Sequence, residues 1–387
     1  MLAYGSRYSP LLDSIFEWPN DAIASILINA GADVNYSGNV NGAKLPVLSY
    51  AIYMGNVGIV ERMLRLGADP NCERVFADGS RYSPLLDSIF EWPNDEITKL
   101  LIGAGADVNY VGFVDGVKFE VCRKNNIGAG ADVNYVGFTN GVKFSVLHAA
   151  IHESNVDILK LLLSKGADPN CERVLADGNR YSPLLDSIDV CPNDVIASIL
   201  INAGADVNYI GNNNGVKLPV LSTAICKGNV GIVERLLSKG ADPNCERVLA
   251  DGSRTSPLLG SIFEWPNDEI TKLLIGAGAD VNYVGFVDGV KFSVLHTAIS
   301  ESNVDILKLL LSKGANPCCE IVFNDGSRSS ALRDCILRWP NAQIIDLLSS
   351  YMNPLPDDVR GLKVKRSGLS AQTIQKLKAA GCKVSIF

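Results

Sequence analysis

Hydrophobic residues recur along the chain as pairs of short amphipathic stripes, each pair followed by a polar segment. In one clear example, Ser83 can cap a first helix that has Pro84 at its first position. That helix should end at Trp92, because the residue before a proline is disfavoured in a helix. A second stripe with i, i+3, i+4 spacing stops at Gly105, a residue suited to a left-handed helix end. The pattern predicts two short helices and an extended loop.

The motif GADVN or GADPN marks the end of each such unit. Successive spacings alternate between 36 and 38 residues, which makes a superperiod of 74, and one spacing of 25 breaks the rule. The motif starts at Gly31, Gly67, Gly105, Gly130, Gly166, Gly204, Gly240, Gly278 and, as GANPC, at Gly314. Helices this short cannot bury their apolar stripes alone, whereas stacked neighbours can. The chain is therefore expected to be a repeat array.

The repeated residues resemble the ankyrin repeat. SVLHTAI at 293–299 and VDILKLLLSKGADPN at 156–170 are similar to that family's Thr-Pro-Leu-His and Gly-Ala-Asp-x-Asn signatures. Among the repeats, His148 and His296 keep the histidine, and other residues replace it elsewhere. The resemblance covers roughly residues 9–350 as nine helix pairs. It implies an all-α repeat solenoid of ankyrin-type stacked helix pairs with extended inter-repeat loops.

One segment departs from the repeat. Residues 103–119 reappear almost unchanged at 128–144, and the bridge between them, residues 120–127, has no amphipathic stripe. We therefore expect an ankyrin-like stack of three helix pairs over 1–119, a repeat-breaking junction at 120–127, and an ankyrin-like stack of six pairs over 128–350.

The first repeat is expected to have an apolar face that no preceding repeat covers. Residues 9–21 are identical to residues 83–95, so the first repeat presents the same apolar face that an internal repeat buries. Solenoids normally have a terminal repeat with a polar outer face. We expect that the chain is a fragment or that this end frays, and a covering partner is the alternative.

The segment 351–387 differs in kind from the repeats. From residue 357 onward it holds seven Lys or Arg against two Asp, a charge of +5. Ser370 can cap a helix that Gly381 stops, with short strands at 362–365 and 383–387. We expect a basic C-terminal cap over the last repeat, and a docking tail is the alternative.

Composition narrows the function classes. A 47% hydrophobic and 20% charged chain is not disordered, and no apolar run reaches the ~18 residues of a membrane span. The net charge of −7 becomes −12 without the basic segment, which disfavours nucleic acid as a partner. The ten cysteines lack zinc-type pairs and are too sparse for a disulfide scaffold. We expect free thiols in a monomeric intracellular, cytoplasmic protein, and delivery into a host cell stays open.

No catalytic, cofactor or metal site is expected. The chain has no phosphate-loop motif, and its paired glycines lie at helix ends without the third glycine of a dinucleotide fingerprint. His148 and His152 have a spacing that could share zinc, but no third ligand is near and His148 fills the family's structural histidine position. Asp87-Ser88 recurs in alternate repeats, which indicates architecture rather than catalysis.

The resemblance implies that loop tips and first helices form a concave face for a protein partner. The first-helix position that varies between matching repeats holds Tyr53, His152, Cys226 and Ser300. The loops begin with Tyr36, Tyr110, Tyr209 and Tyr283, and the loop ends carry Arg74, Arg173 and Arg247. These residues are the predicted protein-binding positions. For the tyrosines we favour the alternative, in which each ring packs beneath its own loop.

The predicted function is a non-catalytic protein–protein interaction scaffold that binds an unidentified protein. One alternative is an adaptor whose basic C-terminal tail docks to a larger assembly. Another is a duplicated array without a selected partner, because residues 80–119 and 253–292 differ at only two of forty positions. The two differences are Tyr82 against Thr255 and Asp87 against Gly260.

Overall fold

Nine successive pairs of short helices make up most of the described chain. The computed structural model describes residues 9–40, 43–114, 142–175, 177–287, 290–323 and 325–385. We number the helix pairs 1 to 9 in chain order. Their first helices are Pro10–Leu12 with the π-helical continuation Asp13–Glu17, Val47–Tyr53, Pro84–Leu86 with the π-helical continuation Asp87–Glu91, Val146–His152, Pro183–Asp189, Val220–Cys226, Pro257–Ile262, Val294–Ser300 and Ala331–Leu337. Their second helices are Asp21–Asn29, Val57–Arg65, Asp95–Gly103, Val156–Ser164, Asp194–Asn202, Val230–Ser238, Asp268–Gly276, Val304–Ser312 and Ala342–Tyr351.

The helices begin and end where local chemistry predicts. The Ser83 hydroxyl accepts a hydrogen bond from the Leu86 N–H, and the Asn94 side chain accepts one from the Ile97 N–H. Trp92 lies outside the helical region with φ −135° and ψ 71°, which ends the first helix of pair 3 before the proline. The predicted helix pairs are confirmed.

The loops between helix pairs are antiparallel β-hairpins rather than only extended loops. The hairpin strands are Ser37–Val40 with Ala43–Pro46, Arg74–Val75 with Arg81–Tyr82, Val111–Val114 with Val142–Ser145, Arg173–Val174 with Arg180–Tyr181, Ile210–Asn213 with Val216–Pro219, Arg247–Val248 with Arg254–Thr255, Val284–Val287 with Val290–Ser293, and Glu320–Val322 with Arg328–Ser330. Each hairpin therefore delivers its chain directly to the start of the next first helix.

The chain divides into two compact units, Met1–Asp206 and Val207–Phe387. Pairs 1 to 5 lie in the first unit, and pairs 6 to 9 with the C-terminal segment lie in the second. In the first unit the second helix of pair 2 packs against the second helices of pairs 1 and 3. The leucines and isoleucines of these interfaces, such as Leu86, Ile97 and Leu101, have no exposed surface. Burial of the paired stripes between neighbours supplies the main stabilisation of each unit.

The asparagine of the repeated motif holds each pair to the next. The Asn71 side chain donates to the Gly105 carbonyl (3.2 Å) and accepts from the Asp107 N–H (2.7 Å). The same two bonds recur at Asn35, Asn109 and Asn170 in the first unit, and at Asn208, Asn244 and Asn282 in the second. Gly105 has φ 90°, a conformation that favours glycine, and this geometry leaves its carbonyl available to the asparagine. The GADxN motif is thus a connection between successive repeats.

Pairs 3 and 4 are neighbours in the first unit. Strand Val111–Val114 pairs with Val142–Ser145, and the Asn109 side chain donates to the Gly166 carbonyl as its counterparts do elsewhere. The expected junction at 120–127, like the motif at Gly130, lies outside the described residues. The division into stacks over 1–119 and 128–350 therefore stays a prediction.

The C-terminal segment packs on pair 9. It contains a 3₁₀ turn at Asp357–Val359, a strand at Lys363–Lys365, a helix at Ala371–Ala379 and a strand at Lys383–Ser385 parallel to the first. The Lys376 ammonium donates to the carbonyls of Ser349 (2.7 Å) and Met352 (3.0 Å), near the end of the last repeat helix. This packing is consistent with the expected cap, and the choice between a cap and a docking tail stays a prediction.

Asp358 connects the segment to the start of pair 9. Its carboxylate accepts from both the N–H (2.8 Å) and the hydroxyl (2.7 Å) of Ser330, the N-cap of helix Ala331–Leu337. Arg333 also donates to the Asp358 carbonyl.

We expect Asp358→Ala to lower the free energy of unfolding of the second unit by about 2 kcal/mol, because hydrogen bonds to a charged acceptor are lost. Urea unfolding followed by circular dichroism measures the change. Asp357→Ala is the matched control, since Asp357 is exposed, and its effect should stay within about 0.5 kcal/mol. Equal effects of the two substitutions would contradict the capping role.

Candidate functional site

The variable first-helix residues are the last residues of their helices. Tyr53 is 49% exposed and Cys226 is exposed, whereas His152 and Ser300 are half-buried. Tyr53 and Ser300 lie beside the hairpin that follows their own helix pair. The structure therefore places all four at comparable positions, with exposure that depends on the residue.

The loop tyrosines are half-buried and pack against hairpins. Tyr110 donates its hydroxyl to Glu73 (3.1 Å), and Tyr283 donates to Glu246 (3.1 Å). Burial, with the adjacent glutamate second, raises the pKa of both phenols. Tyr36 and Tyr209 are half-buried at the matching positions. This placement supports the packing alternative for the tyrosines, and a partner-binding role for them stays a prediction.

Two of the three arginines among the predicted protein-binding positions are buried. Arg74 is 7% exposed and Arg173 is 2% exposed. Each guanidinium turns inward to an aspartate thirteen residues later, at 2.7 Å for Arg74–Asp87 and 2.6 Å for Arg173–Asp186. Their charge is compensated inside the protein and is not presented to solvent.

The Arg74 guanidinium also lies among aromatic rings. Its central carbon is 4.5 Å from the Phe76 ring centre, 4.6 Å from that of Tyr82 and 4.5 Å from that of Trp92. Such contacts stabilise a cation by its attraction to the ring faces. We call an arginine–carboxylate pair at this place, with the residues that surround its guanidinium, an arginine site, and we name each site by its arginine.

The Arg173 site has the same pair with different surroundings. Both Asp186 oxygens accept from Arg173, at 2.6 and 2.9 Å, and the Nε2 atoms of His148 and His152 each lie 3.7 Å from Asp186. Burial favours a raised pKa for Asp186, but the His152 hydrogen bond and the Arg173 charge outweigh it, so the pKa lies below its usual value. Burial lowers the pKa of His148 to about 4.

The second unit contains two further variants of this site. Arg247 is partly exposed and pairs with Glu264 (2.9 Å), while its guanidinium lies 5.0 Å from the Trp265 ring centre. In pair 9 the arginine comes from the helix end instead: Arg338 pairs with Asp334 (3.3 Å). The chain thus keeps an arginine–carboxylate pair at this place while the residues that supply it change.

Sequence reasoning missed Arg338 and the partner carboxylates. The recurrence of the Asp-Ser pair indicates architecture, whereas the contacts of Asp87 and Asp186 with an arginine depend on how each hairpin folds back. A signal was present in the sequence, because Tyr82/Thr255 and Asp87/Gly260 both belong to arginine sites. Gly260 takes the aspartate's position, and a Cβ there would lie 3.2 Å from the Trp265 ring.

Two arginine sites open into clefts. The Arg74 cleft has a volume of about 290 Å³ and is lined by Phe16, Leu45, Ser49, Tyr50, Tyr53, Arg74, Phe76 and Trp92. The Arg338 cleft has a volume of about 210 Å³, and its lining includes His296, Thr297, Ser300, Phe323 and Trp339. Tyr53 and Ser300, two of the predicted binding residues, therefore lie on cleft walls.

Other candidate chemistry gains no support from the geometry. Within the described ranges, no three or more His, Cys, Asp or Glu side chains are grouped so as to hold a metal ion. Cys72, Cys171, Cys245 and Cys319 are free thiols, as predicted, and burial raises their pKa values, to about 11 for the last three. No helix in the described part of the chain is both long and apolar enough to cross a bilayer.

Comparisons with known proteins identify the repeat. Residues 147–247 and 221–321 match the family model described as ankyrin repeats in three copies. The chain is 33% identical over 175 residues to human ankyrin repeat and SOCS box protein 3, covering 45% of this chain and 31% of that protein. It is 26% identical over 174 residues to human transient receptor potential cation channel subfamily A member 1, covering 44% and 14%.

A viral relative and a solved structure extend the comparison. A putative ankyrin repeat protein of Fowlpox virus is 26% identical over 222 residues, covering 49% of this chain and 31% of the viral protein. The chain thus spans less than a third of the length of these curated relatives. The crystal structure of the ankyrin repeat domain of Bcl-3, a member of the IkappaB protein family, matches with 18% identity and a TM-score of 0.46, covering 70% of this chain and 99% of that one.

The Arg74 site makes a pH-dependent contribution to stability. Asp87 is fully buried, one of its oxygens accepts from Arg74, and the other has no hydrogen-bond partner among the described residues. Burial raises the pKa of Asp87 to about 7, against the opposing effect of Arg74. The folded protein therefore holds this proton up to about pH 7, whereas the unfolded chain loses it near pH 4.

We expect the stability of Asp87→Asn to rise relative to that of the unsubstituted protein as the pH increases. The difference between their free energies of unfolding should change by about 1 kcal/mol in favour of the variant between pH 6 and pH 8. The physical reason is that the unsubstituted protein loses stability as buried Asp87 ionises, and the asparagine does not ionise. Urea unfolding of both proteins at the two pH values gives the difference, in which all other titrating groups cancel. A difference that is the same at both pH values would show that Asp87 is already ionised at pH 6.

Proposed function

We propose that the chain, whose residues 147–247 and 221–321 match the ankyrin-repeat family model, is a non-catalytic scaffold that binds a protein partner through the face formed by its first helices and hairpins. Ankyrin repeats generally mediate protein–protein interaction, and the fold is typically non-enzymatic. A stacked array offers extended surface rather than an enclosed reaction chamber. The observation that carries the proposal for this face is the placement of the differences between internal copies.

Pairs 4 and 8 differ at two positions, and both line the Arg338 cleft in pair 8. Over residues 145–166 and 293–314 the two copies are identical except at Ala149/Thr297 and His152/Ser300. Thr297 and Ser300 line the Arg338 cleft, and His152 contacts the Arg173 site. Exposed positions on the second helices of these pairs are the same in both copies. Tolerance to change at exposed positions therefore does not explain where the differences fall.

Differences between a longer pair of copies are also concentrated at an arginine site. Residues 47–95 and 220–268 differ at nine of 49 positions. Five of the nine belong to the Arg74 site, namely Tyr50, Tyr53, Phe76, Tyr82 and Asp87, whose counterparts are Thr223, Cys226, Leu249, Thr255 and Gly260. Five of the eight Arg74-site residues in this window thus differ, against four of the other 41 positions. Random divergence of an array without a partner would spread the differences along the chain.

A third copy changes at the same place. Residues 83–95 and 182–194 differ at three adjacent or nearly adjacent positions, where Phe90, Glu91 and Trp92 correspond to Asp189, Val190 and Cys191. Trp92 contacts Arg74, and the Cys191 thiol lies 3.5 Å from His152 in the Arg173 site. The packing residues are the same in these copies, whereas the residues at the arginine sites differ. A binding face that makes a different contact at each repeat requires such differences.

The C-terminal segment supports the scaffold rather than a separate activity. Its Asp358 and Lys376 side chains hydrogen-bond to Ser330 and Ser349 at the two ends of pair 9. The proposed function therefore does not require docking of this segment to a further assembly.

Site-specific photo-cross-linking tests which face binds. Benzoyl-phenylalanine placed at Tyr53 or Cys226 should cross-link a partner in extracts of cells that express the protein, at yields at least tenfold above those from Lys160 or Glu234. The latter two are exposed positions on the second helices of pairs 4 and 6, so they serve as controls outside the first helices and hairpins. Cross-links confined to the second-helix positions would contradict the proposed face.

A further inference from the structure

The Arg74 cleft has aromatic walls that come from three successive helix pairs in the first unit. Phe16 of pair 1 lies 4.5 Å from Tyr50 and 6.1 Å from Tyr53, measured between ring centres. Tyr53 meets Trp92 of pair 3 edge-on, with ring centres 5.0 Å apart. Rings fixed against one another in this way form a preorganised binding surface, because little side-chain freedom remains to be lost on binding.

Ser49 gives the cleft part of its volume and an unpaired hydroxyl. It stands at the position where pairs 4 and 8 have His148 and His296, whose larger rings lie buried. The Ser49 side chain is 2% exposed, and within the described residues its hydroxyl has no hydrogen-bond partner. A buried polar atom without a partner costs free energy that a suitable ligand atom would recover.

Arg74 supplies a second unpaired group on the same cleft. Its terminal nitrogen donates to Asp87, but its Nε has no hydrogen-bond partner among the described residues. An N–H of arginine can only donate, so its complement is an acceptor atom. The cleft thus combines aromatic walls with one donor, Arg74 Nε, and one group that can donate or accept, the Ser49 hydroxyl.

These features select among ligand side chains. A cationic side chain is disfavoured, because Arg74 already occupies the ring faces of Phe76 and Trp92. A carboxylate is disfavoured because it would lose its hydration in a cleft whose lining is mostly apolar and already supplies Arg74 with one carboxyl partner. Phenylalanine has no polar atom for Arg74 Nε or Ser49, and the indole N–H of tryptophan can only donate. A phenol has an aromatic ring and an oxygen that both accepts and donates.

We propose that the Arg74 cleft takes one tyrosine side chain of the protein partner, with its ring against Tyr53 and its phenol oxygen accepting from Arg74 Nε. The Ser49 hydroxyl completes the hydrogen bonding of the same oxygen. This inference rests on the proposed scaffold function and names the kind of residue that one of its sites recognises. A tyrosine held in a pocket by its ring and hydroxyl is typical of the anchors that dominate interface energetics.

The matching repeat of the second unit lacks these walls. Thr223, Cys226 and Leu249 stand where pair 2 and its hairpin have Tyr50, Tyr53 and Phe76. The tyrosine anchor is therefore specific to the first unit, and the equivalent face of the second unit recognises other side chains.

The test measures binding of three capped amino acids to the full chain by saturation-transfer NMR. We expect N-acetyl-tyrosinamide to bind in the millimolar range and about fivefold more tightly than N-acetyl-phenylalaninamide or N-acetyl-tryptophanamide, as one additional net hydrogen bond would produce. Equal binding of the three amides, or no binding of the tyrosine amide, would overturn the proposal.

Variants taken from the chain's own repeats locate the binding. Tyr50→Thr with Tyr53→Cys, which introduces the residues of pair 6, should abolish binding of the tyrosine amide. Arg65→Ser with Leu66→Lys, taken from the same comparison but outside the cleft, is the matched control and should retain it. Ser49→Ala should reduce the preference for the tyrosine amide over the phenylalanine amide without weakening the phenylalanine amide. Loss of binding in the control, or an unchanged preference in Ser49→Ala, would contradict the assignment.

The outcome is separable from the test of the scaffold function. If cross-links form at Tyr53 but the tyrosine amide does not bind, the scaffold function stands and the tyrosine anchor is wrong. If the first-helix positions give no cross-links, the scaffold function fails on evidence that does not involve the capped amino acids.

Discussion

Burial of two short apolar stripes between successive helix pairs is the constraint on which each compact unit depends. Helices of at most ten residues are marginal in isolation, and Leu86, Ile97 and Leu101 lose their exposed surface through packing within and between pairs. The motif asparagines then fix the spacing, because each one binds both a helix-ending carbonyl and an N–H of the next repeat. Positions that serve this packing recur almost unchanged, while the helix ends and hairpins beside them are free to differ.

The arginine sites show how the free positions are used. Arg74 and Arg173 each bury a charge against an aspartate, an arrangement whose desolvation is compensated only with good hydrogen-bonding geometry. The Arg173–Asp186 pair has two hydrogen bonds and two nearby histidines, so its carboxylate is held ionised. The Arg74–Asp87 pair has only one such hydrogen bond among the described residues. An open aromatic cleft lies where the Arg173 site has its histidines. The same framework thus yields a closed polar cluster in one repeat and a cleft in another.

Much of the fold could be predicted from the sequence, and less of the site. Ser83, Trp92 and Gly105 predicted helix ends because capping, proline and left-handed glycine act within a few residues. The burial of Arg74 could not be predicted in this way, since its contact with Asp87 exists only after the hairpin folds back. The differences between near-identical copies marked the site, but their common location became apparent only from the coordinates of the surrounding side chains.

Stacking, and not the variable site, carries the stability of each repeat. The most direct measurement is urea unfolding of a variant in which Thr223→Tyr, Cys226→Tyr, Leu249→Phe, Thr255→Tyr and Gly260→Asp give the second unit the corresponding Arg74-site residues. We expect the variant to unfold cooperatively, with a free energy of unfolding within about 2 kcal/mol of that of the unsubstituted protein. The single core substitution Leu274→Ala should lower the free energy of unfolding by about 2–5 kcal/mol. Loss of cooperative unfolding in the five-fold variant, or a cost above that of Leu274→Ala, would contradict this role of stacking.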